Sequence, residues 1–150
     1  MLATLALTVY IFTTTDCPIS NRYAPEIQRL AAAFGSHARF VLVYPVPSDT
    51  EQSIREHKKK FGFSMPSVRD AELKLVKQVG ATVTPEVAVM KGSELLYRGR
   101  IDDRYIDFGK DRIKPTTHDL QDALTAAIAG KPVAVKETRA VGCFLAELVK

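Results

Sequence analysis

The chain has two cysteines in 150 residues, too few for a disulfide scaffold to replace a hydrophobic core. Neither sits in a C-x-x-C pair. His37, His57 and His118 are scattered with no H-x-x-x-H or C-x-x-C partner, which argues against a zinc site. The apolar opening, residues 1–12, is far short of the ~20 residues that span a bilayer. It carries neither a basic leader nor a small-residue cleavage site. Repeats and low-complexity tracts are absent. Charge of one sign is scarce too: 21 basic against 17 acidic residues leave +4, a balance that does not call for nucleic acid. The densest basic cluster, His57-Lys58-Lys59-Lys60, reads as the solvated face of a helix.

What is present suits a soluble globular chain: 46% hydrophobic and 25% charged residues, with enough length for one domain over 1–150 and a real core. The most informative stretch is Thr14-Thr15-Asp16-Cys17-Pro18-Ile19-Ser20. It sets Cys17 where an apolar run gives way to a helical pattern. A thiol at a helix start faces unpaired backbone N–H groups and the positive end of the dipole. Both favour thiolate, the reactive form. Asp16 opposes this if its carboxylate stays free, and less so if it caps the helix.

Residues 5–12 read as a buried strand. Ile19, Tyr23, Ile27, Leu30 and Phe34 recur at helical spacing, predicting an amphipathic helix over 18–34. Residues 40–44 form a second apolar strand. Ser48 or Asp49 can cap a polar helix that runs to about Phe61 and closes at Gly62. A short helix over 71–79 ends at Gly80. Residues 86–90 and 95–97 flank a hairpin turn. Residues 102–114 are polar and irregular, and Ile101-Asp102-Asp103-Arg104-Tyr105 reads as a solvated loop. Thr116 with Asp119 resembles a capping box for a helix over about 117–129. A tail over 131–150 still carries apolar residues and is expected to pack back on a core of about 5–130. The order β-α-β-α-α-β-β-α, with both-faced apolar strands, implies a three-layer α/β fold: a mixed central sheet with helices on both faces.

With these residues in place, the chain resembles the thioredoxin-like superfamily. Cys17 opens a helix, and Pro25 stands eight residues on, at the family's kinking proline. Thr84-Pro85-Glu86-Val87-Ala88-Val89-Met90-Lys91-Gly92 is similar to the segment that holds the family's cis-proline opposite the cysteine. Gly99 also fits. The addition over 49–70 resembles the extended redoxins, the exported TlpA-like proteins and the peroxiredoxins. The resemblance implies a thiol-disulfide oxidoreductase or isomerase with no cofactor and no metal. Cys17 attacks, Ser20 hydrogen-bonds its sulfur, and Pro18, Thr84 and Pro85 shape the docking surface. The backbone beside Pro85 then pairs with an extended substrate. Protein or small-molecule thiols and disulfides are the implied partners, with an external reductant and no nucleic acid.

Ser20 stands where the family has its second cysteine, so Cys17 cannot run a local dithiol cycle. Cys143, in the tail, is either the missing resolving thiol or a small buried apolar residue. Thr14-x-x-Cys17-Pro18 also resembles the peroxidatic motif of peroxiredoxins, in which the threonine hydroxyl holds a peroxide. However, Tyr10 replaces that family's upstream proline, and Arg69, Arg98 and Arg100 stand at unconvincing positions for its arginine. A third reading is a degenerate thioredoxin fold that binds or senses rather than catalyses. The TlpA-like resemblance points to an exported bacterial protein. A chain that opens on a core strand agrees with an export signal removed upstream; a gene lacking any signal before Leu2 would sink that expectation.

Overall fold

Strands that are apolar on alternate residues of both faces need cover on both sides. The computed structural model, which describes residues 7–149, has that cover. Its elements are β1 (Leu7–Phe12), α1 (Pro18–Arg22), α2 (Ala24–Phe34), β2 (Ala38–Tyr44), α3 (Glu51–Phe61), β3 (Ser67–Arg69), α4 (Lys74–Val79), β4 (Val83–Thr84), β5 (Glu86–Lys91), β6 (Glu94–Gly99), β7 (Tyr105–Asp107), β8 (Lys110–Asp111), α5 (Asp119–Ile128), β9 (Cys143–Phe144) and α6 (Leu145–Leu148). The expected start of the first strand at Leu5 lies outside the described residues.

The main sheet has the order β3-β2-β1-β5-β6. β1, β2 and β3 run parallel, while β5 is antiparallel to both β1 and β6. Val9, Ile11, Leu42, Val87 and Val89 face one core, shared with Ile27 and Leu30 of α2 and Leu120 and Leu124 of α5. Their neighbours Phe12, Val41, Val43, Ala88 and Met90 face the other, shared with Val76 and Val79 of α4 and Leu145 of α6. The period of two along each strand thus sorts side chains into two layers of cover, the three-layer α/β arrangement the sequence predicts.

Several local expectations need correction. The helix over 18–34 breaks at Tyr23 (φ −82°, ψ −3°). Pro25 has no N–H, and its ring would meet the carbonyl of Asn21. Thr50, not Ser48 or Asp49, caps α3 by accepting the Ser53 N–H at 3.1 Å. α4 starts three residues later than predicted, because the Asp70 carboxylate takes the Leu75 and Val76 N–H groups at 3.2 and 3.0 Å. The expected capping box at Thr116 and Asp119 does not form. His118 is the N-cap, Thr116 turns to Asp103, and Asp119 accepts from Arg100 at 2.7 Å. Residues 102–114 hold the hairpin β7–β8, and Asp102 and Asp103 are buried rather than solvated. β3 is a further strand that its three mixed residues do not announce.

The tail lies first against β6 and then against β4. The Thr138 N–H donates to the Arg98 carbonyl at 3.1 Å, and the Arg98 N–H to Lys136 at 3.0 Å. The chain then crosses to β4. β9 pairs with it antiparallel, Thr84 opposite Cys143 and Val83 opposite Phe144. Leu145 follows, buried, its N–H on the Thr82 carbonyl at 2.9 Å.

Asp103 ties the β7–β8 hairpin to the start of α5. Burial alone would raise its carboxyl, but hydrogen bonds from Thr116 and Thr117, with the Arg112 charge, bring it down to about 2. A carboxyl lowered from its unfolded value of ~3.9 adds stability above that pH. The contribution is lost as pH falls towards 2. Asp103→Asn should therefore cost about 1–3 kcal/mol near neutrality, read from the urea midpoint. The gap between variant and wild type should narrow on acidification through that window.

Candidate active site

Cys17 ends the loop after β1 and is the N-cap of α1, with extended backbone (φ −97°, ψ 112°) and Pro18 in the first helical position. The residue is 1% exposed. Its S–H donates to the Thr84 carbonyl at 3.4 Å, on the segment that leads into the cis Thr84–Pro85 bond. The hydroxyls of Ser20 and Thr84 are buried and have no hydrogen-bond partner among the described residues. Ionisation of Cys17 gives both of them one. Burial alone would push the thiol up, but hydrogen bonds from Cys143, from Ser20 and from Thr84 outweigh it and hold Cys17 below its ordinary range. α1 has only five residues, so these local donors, rather than a long macrodipole, favour the thiolate. Asp16 does not cap α1, because no side chain makes a cap bond there. It is exposed, and its charge bears on Cys143 instead.

The register of β9 brings Cys143 to the same residue, Thr84, that receives the Cys17 S–H. Both cysteines are free thiols. Burial, the hydrogen bond to Cys17 and the Cys17 charge push Cys143 up to about 12. The pair is therefore asymmetric, with Cys17 the sulfur that ionises and Cys143 the one that keeps its proton. Gly142 allows the approach. A Cβ there would overlap the Thr84 carbonyl oxygen and press on the Pro85 nitrogen at 3.1 Å.

Thr14 turns away from the thiols. Its hydroxyl donates to Asp49 Oδ2 at 2.6 Å, and the Thr15 hydroxyl donates to Oδ1 of the same buried carboxylate at 2.6 Å. Nor do the candidate arginines reach the site. Arg69 bonds the Pro47 carbonyl, Arg98 bonds Gly80 and Glu137, and Arg100 bonds Asp119. His57, expected on a solvated face, is 5% exposed. Its Nδ1 accepts from the Tyr44 hydroxyl at 2.8 Å, and its Nε2–H donates to Asn21 Oδ1 at 2.7 Å. The tautomer follows from Asn21, whose amide nitrogen donates to the Thr15 carbonyl at 3.2 Å. Burial lowers the His57 pKa, as does Lys60, against the pull of Asp49. A neutral imidazole thus ties α1 to α3.

Of the residues predicted from sequence, Cys17, Ser20, Thr84, Pro85 and Cys143 gather at one point. Pro18 is exposed at its edge, and Thr14 is directed elsewhere. The backbone beside Pro85, predicted to pair with a substrate, is taken by β9, because the tail satisfies those groups within the chain. Asp49, Asn21, His57 and Gly142 were not anticipated. Two of them had a signal: His57 lies on the apolar stripe between Ile54 and Phe61, and Gly142 immediately precedes Cys143. Among the described residues no three His, Cys, Asp or Glu side chains gather as a metal site, and no helix is long and apolar enough to cross a membrane.

No family model and no curated protein matches the sequence. Solved structures match the fold. An uncharacterized conserved protein from Geobacillus kaustophilus superposes with a TM-score of 0.82, over 94% of this chain and 77% of its own, at 25% identity. StoA from Bacillus subtilis gives 0.59 over 82% and 84%, at 20% identity. A secreted Mycobacterium tuberculosis disulfide oxidoreductase homologous to E. coli DsbE gives 0.54 over 83% and 81%, at 18% identity. The chain has the thioredoxin-like fold. Within this thioredoxin-like domain, the second thiol arrives on a tail strand rather than in the helix that Cys17 opens.

Two measurements check this geometry. Ser20→Ala should raise the Cys17 pKa, read as thiolate absorbance against pH, because one donor to the sulfur is gone. Gly142→Ala should lift β9 off β4 and speed alkylation of both thiols. Unchanged protection would mean that the close approach is not what holds the tail.

Proposed function

We propose that this thioredoxin-like domain is a thiol-disulfide oxidoreductase in which Cys17 attacks and Cys143 resolves. The observation that carries the reading is the β4–β9 register, which sets Cys143 across from the residue that receives the Cys17 S–H. The Cys17 thiolate attacks one sulfur of a substrate disulfide. A Cys17–substrate disulfide forms, and the other substrate sulfur leaves as a thiolate. That step removes the Cys17 charge and hydrogen bond that raise Cys143, so Cys143 becomes easier to ionise once it is needed. Cys143 then gives up its proton and attacks the Cys17 sulfur. The second substrate thiolate is expelled, and a Cys17–Cys143 disulfide remains. The Cys143 proton ends on one of the two departing thiolates, and two equivalents of an external thiol return the pair to its reduced state.

Neighbours of the same fold that are disulfide oxidoreductases support this chemistry, and the secreted Mycobacterium tuberculosis protein supports an exported location. A peroxidase reading loses support, because the hydroxyl it needs from Thr14 is committed to Asp49. A module that only binds would not need a thiolate-stabilising cluster around a buried sulfur.

Cys17→Ser should abolish turnover of a disulfide substrate, and unchanged turnover in that variant would sink the exchange reading. Cys143→Ser should still make the first attack but stall, accumulating a mixed disulfide on Cys17 that intact-mass measurement detects.

A further inference from the structure

The tail that delivers Cys143 also covers Cys17. Cys17 is 1% exposed, and β9 fills the β4 edge that an extended peptide would need. Cys143 is the more open sulfur. It forms part of the wall of a cavity of about 280 Å³ lined by Pro18, Ile19, Arg22, Tyr105 and Phe108. The lining is mostly apolar, and its one cation is already engaged: Arg22 donates to the Tyr105 hydroxyl at 3.2 Å and lies 3.9 Å from Asp111. Phe108, half exposed on the β7–β8 hairpin, stands 6.0 Å from the half-exposed ring of Phe144 on β9. The site is at the small end of ligand pockets, which run about 300–1,000 Å³, and is too small to admit a folded partner's strand.

We propose that this cavity admits a low-molecular-weight thiol with an apolar, aromatic-sized body, and that Cys143 is the sulfur with which it exchanges. The inference rests on the exchange reading above and specifies its reductive half. The small thiolate attacks the Cys143 sulfur of the Cys17–Cys143 disulfide. A bond forms between the ligand sulfur and Cys143, the Cys17–Cys143 bond breaks, and its electron pair stays on Cys17. A second thiolate attacks the ligand sulfur, releasing the small disulfide and Cys143, which takes up a proton. Two thiols are oxidised and one protein disulfide is reduced. The direction of attack agrees with the asymmetry of the pair. Attack at Cys143 expels Cys17 onto the waiting Ser20 and Thr84 donors, whereas attack at Cys17 would expel Cys143, which burial and the nearby Asp16 charge still disfavour as a thiolate.

The test uses the oxidised full chain and two monothiols of similar acidity, benzyl mercaptan and 2-mercaptoethanol. Formation of the Cys17–Cys143 disulfide is read first, by intact mass. Its absence overturns the exchange reading and this inference together. With the disulfide present, benzyl mercaptan should reduce it about tenfold faster or more and with saturation, the size expected for burying one aromatic group. The trapped mixed disulfide should map to Cys143. Phe108→Ala should erase most of that preference while keeping the wild-type urea midpoint. A mixed disulfide on Cys17, equal rates for the two thiols, or a preference indifferent to Phe108→Ala would each overturn the inference and leave the exchange reading standing. So would reduction by a protein thiol that outpaces benzyl mercaptan without any effect of Phe108.

Discussion

A side chain at position 142 would overlap the Thr84 carbonyl oxygen, so the tail can lie against the Thr84–Pro85 peptide only because Gly142 has no Cβ. That contact decides the rest of the site. It lets β9 pair with β4, which sets Cys143 opposite Thr84 and buries Cys17 beneath the strand. It also uses up the backbone edge beside Pro85. One steric allowance therefore supplies the second thiol, shields the first and removes the surface on which an extended peptide would pair.

The other side of the site is held by polar groups that do no chemistry themselves. Asp49 gathers the hydroxyls of Thr14 and Thr15, and Asn21 links the Thr15 carbonyl to His57 and through it to Tyr44. Each member satisfies the next, which is the condition under which a buried polar network is stabilising. His57 can accept from Tyr44 and donate to Asn21 only while neutral, and its burial keeps it so. The added helix α3 is thereby a buttress for the loop that presents Cys17.

The architecture was legible because it rests on periodicity. Both-faced apolar strands, Pro25 eight residues after Cys17 and the Thr84-Pro85 segment all describe backbone and core, and local sequence reports these well. The helix caps were less legible. Asp49, Asp103 and Asp119 each look like a cap or a loop residue, yet each carboxylate is claimed by a partner distant in sequence. Cys143 was visible as a residue but ambiguous as a reagent, since nothing local says where a tail will land. The expected substrate edge at Pro85 was legible as an edge but not as a covered one. It assumed that the edge would be open, and the strand that closes it has two residues, too few to announce itself.

If Cys143 resolves from β9, the domain meets a conflict that a local dithiol does not have. To meet a protein disulfide, Cys17 must be uncovered, yet to finish the reaction Cys143 must return to it. The tail must therefore be held, but weakly. Its holds include the two paired residues of β9, the buried Leu145 side chain and its N–H on Thr82, the backbone bonds of Arg98 with Lys136 and Thr138, the Thr138 hydroxyl against Tyr97 and Arg100, and the ion pair between Arg98 and Glu137. A buried leucine contributes about 1.5–3 kcal/mol, and an ion pair with one exposed partner adds little. On that reading the closed domain presents Cys143 through its apolar cavity, and Cys17 is met only with β9 lifted. The same two-residue strand would then separate small partners from large ones by which sulfur each can touch.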